Sequence, residues 1–142
     1  MKTHRFATSQ DAEIAFYEAL ERADLNAMMA VWAEEDIICI HPGSPRFCGV
    51  AEVRESWRQM FGNGATMRFY LSDMQILRGA LLAVHTLYEH IQIKDAAQMP
   101  PPMIATNVYA LTDHGWRMVM HHASPAPDAP PLKLANVPTT VH

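Results

Sequence analysis

The sequence predicts an α+β domain in which three N-terminal helices pack on a strongly curved, mostly antiparallel sheet. Three observations lead there. Apolar residues keep helical spacing only as far as Phe61, alternating β-type runs fill residues 66–124, and the joins between those runs are short turn signals such as Arg78-Gly79 and Asp113-His114-Gly115. Helices first and consecutive strands after describe helices laid on one face of a meander. Bent strongly, such a sheet makes a cone with one open mouth.

The elements follow in order. Residues 9–23 form an amphipathic helix that Thr8 or Ser9 can cap, with Asp11 and Glu13 in its first turn and a stripe of Phe16, Leu20 and Ala23 flanked by Tyr17. Asp24 caps a second short helix carrying Leu25, Met28 and Trp32 at i, i+3 and i+7. After Glu34-Glu35-Asp36, the run Ile37-Ile38-Cys39-Ile40 is a buried strand stopped by His41-Pro42-Gly43. Gly49 opens a third helix with Val50, Val53, Trp57 and Met60 on one side, and Gly62-Asn63-Gly64 ends it. Strands are expected near 66–77, 80–93, 103–112 and 115–124. The join through Gln98-Met99-Pro100-Pro101-Pro102 is looser, because prolines cannot sit in a central strand.

The 142 residues suit one domain, placed at 9–125, followed by a Pro-rich arm or disordered tail at 126–142. With 49% apolar and 18% charged residues, a sizeable core is available. The net charge of -4 and the lack of a basic cluster argue against nucleic acid and anionic membrane surfaces. No apolar run is long enough to span a bilayer, and the first ten residues lack the apolar core of a signal peptide. Cys39 and Cys48 read as thiols, so a cytoplasmic location is expected.

Four pieces, in this order and spacing, carry a family resemblance: Cys39-Ile40-His41-Pro42-Gly43; Gly49 opening a helix with Ser56-Trp57; Ala105-Thr106-Asn107-Val108; and Gly115-Trp116-Arg117-Met118-Val119-Met120-His121-His122-Ala123-Ser124-Pro125. The chain resembles the SnoaL-like branch of the nuclear transport factor 2-like superfamily from about Asp11 to Pro125. The resemblance implies a cystatin-like cone, usually dimeric, with an interior pocket. The superfamily's members range over isomerases, cyclases, dehydratases, hydrolases and proteins without catalysis, so fold alone does not decide function. In the related ketosteroid isomerases the general-base aspartate precedes a proline, where this chain has His41. One oxyanion donor is a tyrosine on the first helix, matched here by Phe16 with Tyr17 one step round. The other is a protonated aspartate, matched by Asn107. The isomerase activity is therefore not carried over.

Each candidate has two readings. His41 is a base or acid if it faces a cavity, or a turn residue bonded to backbone. Asn107 offers amide donors to a carbonyl or oxyanion, or satisfies a neighbour in the core. His121 and His122 are adjacent on one strand and must face opposite ways. His122 shares its face with Trp116, Met118 and Met120 and is placed near the pocket mouth; His121, with Arg117 and Val119, is placed on the outer face. His85 and Glu89 share a face, where Glu89 either orients a pocket histidine or is simply solvated. Trp32, Trp57, Phe16 and Tyr17 supply an apolar lining or plain core. No metal-ligand spacing occurs, and no cofactor is called for. Two functions follow: a cofactor-free isomerase, lyase or hydrolase acting on a small apolar carbonyl compound with His41 and Asn107 at work, or a non-catalytic ligand-binding or dimeric assembly module. A homodimer through the outer sheet face is expected in either case.

Overall fold

A computed structural model describes residues 5–132. Helix α1 runs Ser9–Arg22, and the Thr8 hydroxyl oxygen accepts the Asp11 N–H at 3.0 Å to cap it. It ends one residue earlier than its apolar stripe suggests. Ala23 turns left-handed at φ 51 and hands its N–H to the Ala19 and Leu20 carbonyls, so Ala23 is an exposed cap and not part of the buried stripe. Asp24 caps α2 (Leu25–Val31) by accepting the Ala27 N–H at 3.0 Å. Strand β1 (Ile38–Ile40) pairs with β2 (Arg46–Cys48), a three-residue strand that Pro42, Gly43 and Pro45 hide from pattern reading. Helix α3 spans Val50–Phe61.

Strands β3 (Met67–Arg78), β4 (Leu82–Ile93), β5 (Met103–Thr112) and β6 (Gly115–Pro125) form the antiparallel meander. Gly115 sits at φ 88 beside Phe6, and a Cβ there would lie 2.9 Å from the Phe6 carbonyl oxygen, so the tight β5–β6 turn needs glycine. The six strands lie in the order β2-β1-β6-β5-β4-β3. Strand β1 runs parallel to β6, which makes the sheet mixed at that edge. Helix α1 lies across β3, β5 and β6, and its buried Ala12, Phe16, Ala19 and Leu20 meet Phe69, Leu87, Tyr109 and Met118 from the sheet. This is the α+β cone, helices on one concave face.

One irregularity redistributes the side chains of β6. Val108 pairs with Met120 and Tyr109 with Met118, so Val119 is an extra residue opposite no partner. A one-residue slip exchanges the faces of everything beyond it. His121 is therefore buried beside Asn107, and His122 is exposed on the outer face, the reverse of the expectation from strict alternation. Arg117 is also buried, its guanidinium 5.0 Å from the Phe6 ring centroid. The outer face instead carries Ile38, Met120, Val108 and Val84 in one row and Ile40, His122, Thr106 and Thr86 in the next.

Beyond β6, residues 126–132 run as an arm pinned by the Ala126 N–H to the Pro102 carbonyl at 2.8 Å. The rest of the Pro-rich tail lies outside the described residues. Among the described residues no helix is long and apolar enough to cross a membrane.

Candidate functional site

The interior is built from a polar stripe on an otherwise apolar helix face. Ser9, Glu13 and Tyr17 recur every four residues on α1, beside Phe16 and Leu20, and all five are buried. The concave face of the sheet answers with His85 and Glu89 on β4, Asn107 and Tyr109 on β5, and His121 on β6. Buried polar groups must find partners, and these do. The Ser9 hydroxyl lies 2.9 Å from His85 Nε2. Tyr109 donates its hydroxyl to Glu13 Oε2 at 2.9 Å, and Asn107 Nδ2 donates to the same oxygen at 3.1 Å. His85 Nδ1 also lies 3.1 Å from that oxygen, close enough for an ion contact but without hydrogen-bond alignment. Tyr17 donates to Glu89 Oε2 at 2.6 Å and accepts from Asn107 Nδ2 at 3.1 Å.

Asn107 is the hub. Its two N–H groups reach Glu13 and Tyr17, and its oxygen accepts from His121 Nδ1 at 2.6 Å. The reverse amide orientation would set oxygen against the Glu13 carboxylate, so the donors must face α1. With both donors engaged, Asn107 has no N–H to offer a carbonyl while this network stands. Its bonding fixes the His121 tautomer: Nδ1 carries the proton and Nε2 the lone pair.

A second tie fixes His41. The Ser56 hydroxyl donates to the Val53 carbonyl at 2.7 Å, so His41 Nε2, 3.0 Å from Ser56 Oγ, is the donor in that pair. His41 Nδ1 then holds the lone pair. The two imidazoles meet around Trp57, whose ring centroid lies 4.6 Å from His41 and 6.0 Å from His121, with Phe16 packed edge-on at 5.7 Å. Trp57 Nε1 is buried, and among the described residues nothing accepts its proton.

Burial sets the charges. Desolvation lowers His41 from 6.5 to about 4 and His121 from 6.5 to about 3, the latter helped by its neighbours His41 and His122, so both rings are neutral acceptors at pH 7. Burial raises Glu89 from 4.5 to about 7; the Tyr17 hydrogen bond opposes this shift and the charge of Glu13 adds to it. Tyr17 and Tyr109 are pushed well above 10 by burial first and by the carboxylates next. Burial likewise raises the Cys39 thiol, 3.7 Å from His41, which makes it a poor nucleophile.

The structure thus brings together His41, Asn107, Phe16, Tyr17, Trp57, His85 and Glu89 of the expected site. Trp32 is buried as well, capping α2 and bridging to Met118. His122 is not part of the interior, and Glu89 is not a solvated residue. Pattern reading missed Ser9, Glu13, Ser56, Tyr109 and His121; the four-residue spacing of Ser9, Glu13 and Tyr17 was the available signal. The clefts on the described surface include one beside Tyr70 and Met99 of about 320 Å³, one beside Glu34 and Asp113 of about 280 Å³, one beside Phe6 and Arg22 of about 240 Å³ and one beside Ser9 and Arg78 of about 170 Å³. His41 and Asn107 line none of these four. Among the described residues no three of His, Cys, Asp or Glu come together as a metal-ligand set.

A helical cover on a bent sheet with a polar, aromatic interior defines a cone-fold domain of the nuclear transport factor 2-like class. The SnoaL-like domain profile matches residues 11–128, and the chain belongs to that family. Among solved structures it is 41% identical to a Thiobacillus denitrificans protein named as a calcium/calmodulin-dependent protein kinase type II association domain, over 87% of this chain and 98% of that one, with a TM-score of 0.82. It is 31% identical to a Streptomyces avermitilis protein named as a dehydratase of the NTF2-like family, over 83% and 93% of the two chains, with a TM-score of 0.75. It is also 26% identical over 110 residues to the F-box protein SKIP8 of Arabidopsis thaliana, 77% of this chain and 46% of that protein. The chain spans about half the length of this curated relative.

Proposed function

We propose that this protein binds a small, largely apolar carbonyl compound in the cone interior, read by His41 and His121 beside Trp57. The observation that carries the reading is the pair of neutral imidazoles, each tied through one nitrogen to Ser56 or Asn107 and presenting the other as an acceptor. A ligand with an enolisable C–H or a hydroxyl meets a proton acceptor at His41 Nδ1, and the Trp57 N–H finds no acceptor among the described residues. Asn107 is a positioning residue in this scheme, holding His121 in one tautomer. His41, at 8% exposure the most accessible of the group, marks the side from which a ligand enters. Any turnover is then a cofactor-free isomerisation, hydration or loss of water. The dehydratase name of the Streptomyces avermitilis relative fits that chemistry.

The test is a ligand-detected NMR screen of small ketones, aldehydes and enones, followed by turnover assays on the hits. Binding is expected to weaken in His121→Gln. If His41 is the working base, His41→Gln is expected to abolish turnover while binding and melting temperature stay nearly unchanged. A screen in which no carbonyl compound binds, or in which neither variant alters binding or turnover, overturns the proposal.

An assembly role is favoured by a separate observation. The helices cover one face of the sheet only, and the other shows half-buried Ile38, Met120, Val108 and Val84 in an unbroken row across four strands. We place a two-fold homodimer there, each row meeting its own copy, in keeping with the association-domain name of the Thiobacillus denitrificans relative. Val108→Glu puts two like charges against each other across the axis. Light scattering at micromolar concentration is expected to show a dimer for the parent chain and a monomer for this variant. A monomeric parent chain would refute the assignment. The two free thiols, Cys39 buried and Cys48 exposed, suit a reducing cytoplasm.

A further inference from the structure

The cleft of about 320 Å³ at the β3 edge of the sheet shares no residue with the interior site and uses the sequence feature that the fold left unexplained, the proline run between β4 and β5. Its floor is the outer side of the β3–β4 pair, where Tyr70 and His90 are direct partners, with Gln92 next on that face. The facing wall is Met99, Pro100 and Pro102. Prolines have no N–H to satisfy and a fixed φ, so this wall is apolar and already ordered before anything binds. Leu132 closes a third side, brought there by the arm that the Ala126-to-Pro102 hydrogen bond and the Ala129-to-Ala126 turn hold down.

We propose that this cleft is a second binding site, for a small neutral molecule with a flat apolar body and one uncharged polar group. The body fits between the Tyr70 ring and the proline wall, and the volume is at the lower end of ordinary ligand pockets. The polar group is met from the sheet side. Among the described residues no group accepts from the Gln92 amide N–H, and its oxygen lies 3.5 Å from the Tyr70 hydroxyl. His90 is held by Ser72 Oγ at 2.9 Å through Nε2. Among the described residues no Lys, Arg, Asp or Glu lines the cleft, so a charged ligand would lose its hydration without gaining a counter-charge from them. That lining disfavours carboxylates and phosphates and favours phenols, alcohols, amides and ketones. The rows assigned above to the dimer cross β4 at Val84 and Thr86, and the cleft lies further along that strand at His90 and Gln92.

The experiment is an NMR titration of the full chain, labelled at methionine methyls and glutamine amides, with 2-naphthol as probe and 2-naphthoate as its charged counterpart. Saturable shifts are expected at the Met99 methyl and the Gln92 amide, with the interior Met28 methyl unmoved. Met99→Glu, at a residue 49% exposed and so safe for folding, is expected to weaken 2-naphthol binding by about tenfold or more, and 2-naphthoate to bind weaker than 2-naphthol by a similar factor. Failure of 2-naphthol to saturate up to its solubility limit overturns the proposal. So do equal affinities for the two probes, or shifts at Met28 without shifts at Met99. The last result would report binding in the core instead, which keeps the two proposals separable.

Discussion

Glu13→Ala is expected to lower the free energy of unfolding by about 2–6 kcal/mol, about 1–3 kcal/mol for each of the two buried donors left without an acceptor. The side chain is the acceptor on which Tyr109 Oη and Asn107 Nδ2 converge, with His85 Nδ1 3.1 Å away, and all three residues are fully buried. Alanine offers no acceptor in its place. Each orphaned donor carries about 1–3 kcal/mol of unmet desolvation. Glu13→Gln keeps one oxygen for two donors and is expected to fall well short of that loss. Glu13→Ala combined with Tyr109→Phe is expected to destabilise less than the sum of the two single changes, since the second removes a group the first has orphaned. Urea unfolding measures all of this. A Glu13→Ala midpoint within about 0.5 kcal/mol of the parent chain, the range of ordinary surface substitutions, would show that the network is hydrated and not structural.

The same cluster shows what a single sequence makes legible. The helices and the meander are read directly, because Phe16, Leu20, Trp57 and the alternating runs after residue 66 satisfy local periodicities that the tertiary structure does not override. Glu13 illustrates the limit. In the first turn of a helix an acid normally complements the helix dipole, and only the partners on β4 and β5, more than 70 residues away, turn it inward. His121 and His122 show a different limit. Alternation assigns faces correctly until a bulge intervenes, and a bulge at Val119 has no local signature in a run of Met118, Val119 and Met120, each of which suits either face. Glu89 fails for a third reason. Glutamate is seldom buried, and the exception here depends on the Tyr17 hydroxyl reaching it from a helix 72 residues earlier.

Glu89→Gln is expected to stabilise the protein increasingly as pH rises. Burial lifts the Glu89 carboxyl from 4.5 to about 7 in the folded chain, with the Glu13 charge adding to the shift and the Tyr17 hydrogen bond opposing it. The unfolded chain therefore releases this proton first, and the stability that the neutral group supplies below pH 4.5 is lost as pH rises through 7. His41 and His121 act in the opposite direction. Their folded values of about 4 and about 3 lie below 6.5, so their contribution is complete above pH 6.5 and is lost as pH falls through those two values. Between pH 4.5 and 6.5 two histidines outweigh one glutamate, and parent-chain stability climbs; above 6.5 the residual histidine gain and the glutamate loss nearly cancel, and it levels off. Glutamine keeps an oxygen for the Tyr17 hydroxyl but has no proton to release. The difference between Glu89→Gln and the parent chain is then near zero at pH 4 and grows to about 3 kcal/mol above pH 7, the free-energy equivalent of the shift from 4.5 to about 7. Urea titrations of both proteins across pH 4 to 8 give this difference directly. A difference that stays flat over that range would mean Glu89 ionises as freely in the folded chain as in the unfolded one, and that the interior around Tyr17 and Glu89 is open to water.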